Sequence, residues 1–171
     1  MGKLEIIDHE ETQVNIENLK RKIDRLLQSH NVTDDIVLDV NDEKGEYSLS
    51  SEGMKLSIRI NKNWIGYELE IQKSILGKSI GTFSDTDNYP IQGDNAVMAL
   101  KVFDEVYYCL QGVLKNEIYV GKHKGKLDLA IPIGDQEFKV IERNNFFTGS
   151  SRLTSKEEVE KDTNLQRLFN F

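Results

Sequence analysis

Residues 54–71 read MKLSIRINKNWIGYELEI, two alternating runs on either side of a short polar break. Apolar side chains fall at every second position on both sides of Lys62-Asn63, the period of a strand with one buried face. A two-residue hairpin loop at Lys62-Asn63 sets Ile60 opposite Ile65, Ile58 opposite Tyr67, Leu56 opposite Leu69 and Met54 opposite Ile71. The same register sets Ser57 opposite Glu68 and Lys55 opposite Glu70 on the other side, where Trp64 also falls beside Gly66. One face is core, and the other is wet or bound to something, the pattern of an antiparallel meander.

Upstream, Ile36, Leu38 and Val40, then Tyr47 and Leu49, continue the period of two across a turn at Asp42 to Gly45. Before them, Ile16, Leu19, Ile23, Leu26 and Leu27 stand at helical spacing over residues 15–28, with Asn15 as N-cap and Glu17 and Arg21 at i,i+4. Downstream, residues 73–93 are rich in Gly, Ser, Asp and Asn around one short alternation, Ile80 to Phe83, which predicts a fifth strand and then a loop. Asp94 caps a long central helix, Asn95 to Lys115, whose stripe of Ala99, Val102, Phe103, Val106, Leu110 and Val113 is widened by Val97, Leu100, Tyr107 and Leu114. Strands follow at Glu117 to Gly121, Lys126 to Ile133 and Gln136 to Glu142. A two-residue loop at Gly134-Asp135 sets Ile131 opposite Phe138 and Leu129 opposite Val140, and Pro132 needs an edge or a bulge for its N side. Thr154-Ser155 before Glu157-Glu158 reads as a capping box opening a last helix to about Asn170. The expectation is one α+β domain over 1–171, with seven to eight antiparallel strands in meanders and N-terminal, central and C-terminal helices (α-β4/5-α-β3-α).

Composition agrees with one globular domain: 171 residues, 38% hydrophobic and 30% charged, with a net charge of −7. The acidity sits in the first half, where 17 acidic residues face 11 basic ones before residue 94. A net acidic chain lacks the general attraction to phosphates, which disfavours nucleic acid as a partner. No apolar run is long enough for a membrane span or a secretory signal, and a single Cys makes no internal disulfide, so a cytoplasmic address is expected.

Motifs for catalysis are thin. Gly77-Lys78-Ser79 has the tail of a phosphate loop, but Gln72 stands where its first glycine belongs. Asp85-Thr86-Asp87-Asn88 and Asp39 to Glu43 offer oxygen ligands, yet Pro90 and Lys44 occupy the position where a calcium loop requires glycine. His9, His30 and His123 lie in three separate regions, without the short pairs that zinc prefers. Cys109 falls on the apolar helix face, which predicts a buried, unreactive thiol. No cofactor or metal is expected. The loop from Lys122 to Lys126 could bind an anion or could simply keep the turn soluble.

The preferred functional feature is acidic. Asp34, Asp35, Asp39, Asp42, Glu43 and Glu46 crowd into thirteen residues at the first hairpin. Such crowding repels itself unless offset, and it would steer a basic partner or discourage sheet-to-sheet aggregation. The expected partner-binding residues are Asp35, Asp39, Asp42, Glu43 and Glu46 together with Trp64, Glu68 and Glu70 on the outer sheet face, exposed aromatics being enriched at interfaces.

In element order, size and acidity the chain is similar to small bacterial secretion chaperones and to toxin immunity proteins. That resemblance implies action by binding another protein and assigns no residue. A non-enzymatic protein holding a basic protein partner is the first expectation. An enzyme or small-ligand protein with a pocket between sheet and central helix, using Tyr67, Tyr107, Asp85 or His123, is the second, and a structural subunit of a larger assembly the third. A homodimer is compatible with each.

Overall fold

A computed structural model describes residues 15–31, 35–71, 74–75, 78–79, 82–85, 96–124, 126–143 and 150–168. The fold is α+β, with two five-stranded antiparallel sheets. Helix α1 (Ile16–Ser29) begins where the Asn15 side chain accepts a hydrogen bond from the Asn18 backbone N–H at 3.1 Å, and it buries Leu19, Ile23, Leu26 and Leu27. Glu17 is drawn to Lys20 (3.8 Å) one turn on.

The first sheet follows as β1 (Val37–Asn41), β2 (Glu46–Ser51), β3 (Met54–Asn61) and β4 (Trp64–Ile71), in sequential order. The β3–β4 register is the one the hairpin arithmetic requires, from Ile60 opposite Ile65 to Met54 opposite Ile71. A small hairpin of β5 (Ser74–Ile75) and β6 (Lys78–Ser79) precedes β7 (Thr82–Asp85), which completes the sheet beside β4. The fifth strand thus starts two residues later than the Ile80–Phe83 alternation suggests. Lys78-Ser79 form the tiny β6, not the first turn of the helix a phosphate loop needs, and Gly77 lies outside the described residues.

Helix α2 (Ala96–Lys115) packs against β3's neighbour β4 and against β9 of the second sheet. Ala99, Val102, Phe103, Val106, Cys109, Leu110 and Val113 are buried, Tyr107 and Leu114 half-buried. Val97 and Leu100 depart from expectation: both stand exposed near the start of the helix, where neither sheet covers them. The expected cap at Asp94 lies outside the described residues, as does the chain before residue 15. No described helix is long and apolar enough to cross a membrane.

The second sheet holds five strands rather than three. These are β8 (Tyr119–His123), β9 (Lys126–Pro132), β10 (Glu137–Arg143), β11 (Ser150–Ser155) and β12 (Leu165–Arg167), in the order β11-β10-β9-β8-β12. Ile133 donates its backbone N–H to Glu137 O at 2.9 Å, which makes the β9–β10 connection a three-residue loop, Gly134 to Gln136. The register therefore shifts by one from the two-residue expectation. Leu129 faces Ile141, Ile131 faces Lys139, Ala130 faces Val140 and Pro132 faces Phe138. Because the 133–137 pair is hydrogen-bonded, the N side of Pro132 points away from β10, and the β8 ladder ends before it at Tyr119–Ala130. The end of the strand, not a sheet edge, accommodates the proline.

The last helix is also corrected. Helix α3 spans only Lys156–Lys161. Its capping box forms between Ser155 and Glu158, with Thr154 Oγ1 also donating to the Glu158 carboxylate. Asp162 then turns extended and its carboxylate accepts from the Asn164 backbone, which releases the chain into β12. β12 crosses so close to Gly121 that a Cβ there would stand 1.9 Å from Asn164 O.

One continuous buried cluster joins α1, α2, the inner face of the first sheet and Val120, Leu129 and Ile131 of the second. A smaller cluster of Tyr119, Ala130, Phe138, Val140, Val159 and Leu165 lies on the second sheet's other face, under α3. The second sheet is thus covered on both faces at its centre, which explains why β9 reads KLDLAIP without clean alternation.

Candidate functional site

With the centre of the second sheet covered on both faces, the outer face of the first sheet is an open β-surface among the described residues. Its side chains form rows across the strands. Asn41, Glu46, Arg59 and Gly66 make one row, and Asp39, Ser48, Ser57 and Glu68 the next. Ser48, Ser57 and Gly66 are small, and the face sinks over them into a trough of about 380 Å³. Asp39 and Asn41 of β1 form one rim, Trp64 and Glu68 of β4 the other, with Glu46, Lys55 and Arg59 between.

The electrostatics are partly settled within the site. Arg59 Nη2 lies 3.0 Å from Glu46 Oε1, and its guanidinium stands 5.7 Å from the centre of the Trp64 ring. Among the described residues neither Asp39 nor Glu68 has an ion-pair partner. Two free carboxylates thus face each other across a trough whose aromatic end, Trp64, is 39% exposed.

The acidic residues expected to act together are divided. Asp39, Glu46, Trp64 and Glu68 line the trough. Glu70 lies half-buried in the neighbouring row opposite Lys55, and Asp35 and Glu43 are exposed before β1 and in the β1–β2 turn. Asp42 belongs elsewhere. Its carboxylate lies 2.8 Å from Lys20 Nζ, which also donates to the Asp42 carbonyl at 3.0 Å, tying the turn to α1 on the sheet's inner side. The bond to Asp42 holds the Lys20 ammonium above its ordinary pKa, against a smaller opposing effect of burial. Lys20 and Arg59 are the offsets that crowded carboxylates require.

The alternative catalytic groups gain no common geometry. Tyr67 is buried in the core and Tyr107 half-buried against it, while the side chains of Asp85 and His123 lie outside the described residues. His30 ends α1, its Nδ1 3.0 Å from both Leu26 O and Ser29 Oγ. Cys109 is fully buried and desolvation drives its thiol pKa up, so it is no nucleophile. Tyr47, buried under α1, has its phenol pKa raised first by burial and then by the charge of Asp24. No group of three His, Cys, Asp or Glu residues among those described could hold a metal ion.

Asn41, Ser48, Lys55, Ser57, Arg59 and Gly66 are site residues that the sequence reading passed over. The signal existed: the correct β3–β4 register already placed Ser57 and Gly66 on the outer face, and small residues there mark a depression. No family model matches the chain, and comparison with curated proteins and with solved structures finds no significant match.

Proposed function

We propose that this is a non-enzymatic binding protein that holds a basic protein partner on the outer face of its first sheet and the adjoining acidic turn. The observation that carries this reading is the open trough floored by Ser48, Ser57 and Gly66, with the unpaired carboxylates of Asp39 and Glu68 on opposite rims and Trp64 at one end. Free carboxylates raise the association rate of a cationic partner, and an exposed aromatic beside small residues gives it an anchor that can be desolvated.

The test begins with affinity capture from host lysate at low and then high salt, with mass spectrometry to identify the protein that salt releases. The dissociation constant for that protein is then measured with wild type and with the triple variant D39K/E43K/E68K. Asp42 is left intact because it anchors α1 through Lys20. A loss of at least about tenfold in affinity, about 1.4 kcal/mol, with the melting temperature unchanged, is the expected result. An unchanged dissociation constant removes the proposal.

A further inference from the structure

The outermost strand of the first sheet is unusually bare. β1 has β2 on one side and no described strand on the other. Edge strands are ordinarily shielded by several charges, a proline, a bulge or a covering loop. β1 has one charge, Asp39, and exposes Val37 (66%), Leu38 (37%) and Val40 (45%). Leu38 and Val40 face the same way as their partners Leu49 and Tyr47, which are buried. The helical layer that buries those partners stops short of β1, leaving an apolar step one strand wide.

We infer that the free edge of β1 takes an extended segment of the partner as an added antiparallel strand, with lysine or arginine at alternate positions facing Asp39 and aliphatic residues facing Leu38 and Val40. This rests on the reading of the outer face given above and specifies the partner's chemistry. An added strand lies about 4.8 Å from β1, so its inward aliphatic side chains cover the step. Its outward cations meet Asp39 at the head of the row Asp39, Ser48, Ser57, Glu68, where the two small serines leave room for a long basic chain to reach into the trough.

Charge also decides against the simplest rival occupant, a second copy. Antiparallel pairing of β1 with itself about its centre sets Asp39 against Asp39 and brings Asp35 up to Glu43, and like charges directly opposite are destabilising. A basic segment turns each of those repulsions into an attraction.

Four short labelled peptides test the inference: lysine alternating with valine, a shuffled peptide of the same composition, and two forms of the alternating peptide, N-methylated along one edge and along the other. Binding is followed by fluorescence anisotropy and by hydrogen exchange of the β1 amides. The alternating peptide is expected to bind at least about tenfold more tightly than the shuffled one, to slow exchange in β1, and to lose binding when one edge is methylated but not the other. Equal binding of alternating and shuffled peptides, or indifference to methylation, overturns the inference and leaves the outer-face reading standing as a matter of charge alone. If no peptide binds while D39K/E43K/E68K still loses the natural partner, the edge is again overturned and the outer face retained. Slowed exchange in β1 that grows with protein concentration and needs no peptide assigns the edge to a second copy and equally overturns it. Only an unchanged dissociation constant for the triple variant strikes at the outer-face reading itself.

Discussion

Gly45 closes the β1–β2 turn with φ +64°, and its carbonyl accepts the Ile60 backbone N–H at 2.7 Å. A Cβ at this position would stand 1.9 Å from the Ile60 carbonyl oxygen, part of a rigid strand. Gly45→Ala therefore incurs about 1–2 kcal/mol for the left-handed backbone and a further penalty for the overlap. Gly134, with no positive φ and nothing closer than 3.5 Å to its notional Cβ, supplies the control. Urea unfolding is expected to show a large loss for G45A and almost none for G134A; similar midpoints would mean that the turn is not held against β3. At this same scale the sequence was legible where one residue faces one neighbour in a known register, as with Ile58 and Tyr67. It was opaque where a side chain had two possible destinations. Asp42 and Asp39 look alike in the acidic run, but only contact with α1 assigns one to Lys20 and leaves the other free.

Elements of the second sheet depend on what lies above them. Phe138 is buried on the α3 side, with its ring 5.8 Å from that of Tyr119 in an edge-on arrangement. Phe138→Ala should cost about 3–5 kcal/mol and loosen α3 together with β12, because Val159 and Leu165 share that cluster. Denaturant unfolding measures the first effect, and amide exchange in residues 156–167 the second. The short helix also has an acid sensitivity of its own. Bonds from Thr154 first, and then from the Ser155 backbone, lower the Glu158 pKa from 4.5. A depressed carboxylate gives stability that is present above pH 4.5 and lost as the pH falls through the folded value. Exchange of the α3 amides should quicken across that acid window in the wild type and show no such step in Glu158→Gln. Sequence patterning found the capping box but overran the helix, because Leu165 of β12 and Leu168 just beyond it also stand at helical spacing. Pairing with β8, more than 40 residues away, is what draws 165–167 into the sheet. β11, read as SSRLTS, carries no alternation and is exposed over five of its six residues, so only its ladder with β10 defines it.

Across the whole molecule, the two sheets differ in how much of their placement is local. Strands β1 to β4 follow one another through hairpins and sit side by side, and turn chemistry and a period of two sufficed to read them. The second sheet inserts β8 between β9 and β12 and is covered on both faces at its centre, so its central strands lose alternation, and its last member pairs with a segment more than 40 residues earlier. Functionally this leaves the simple, legible sheet as the one with an open side. Trp64, at the end of the trough and stacked near Arg59, is the sole tryptophan of the chain. Its indole is the only one that contributes to the emission spectrum, and that one fluorophore stands where a docking cation would displace Arg59 and water. A ligand on this surface would therefore register in the protein's own emission, with no dye attached, while the buried Tyr47, Tyr67 and Tyr119 sense the interior at shorter wavelength.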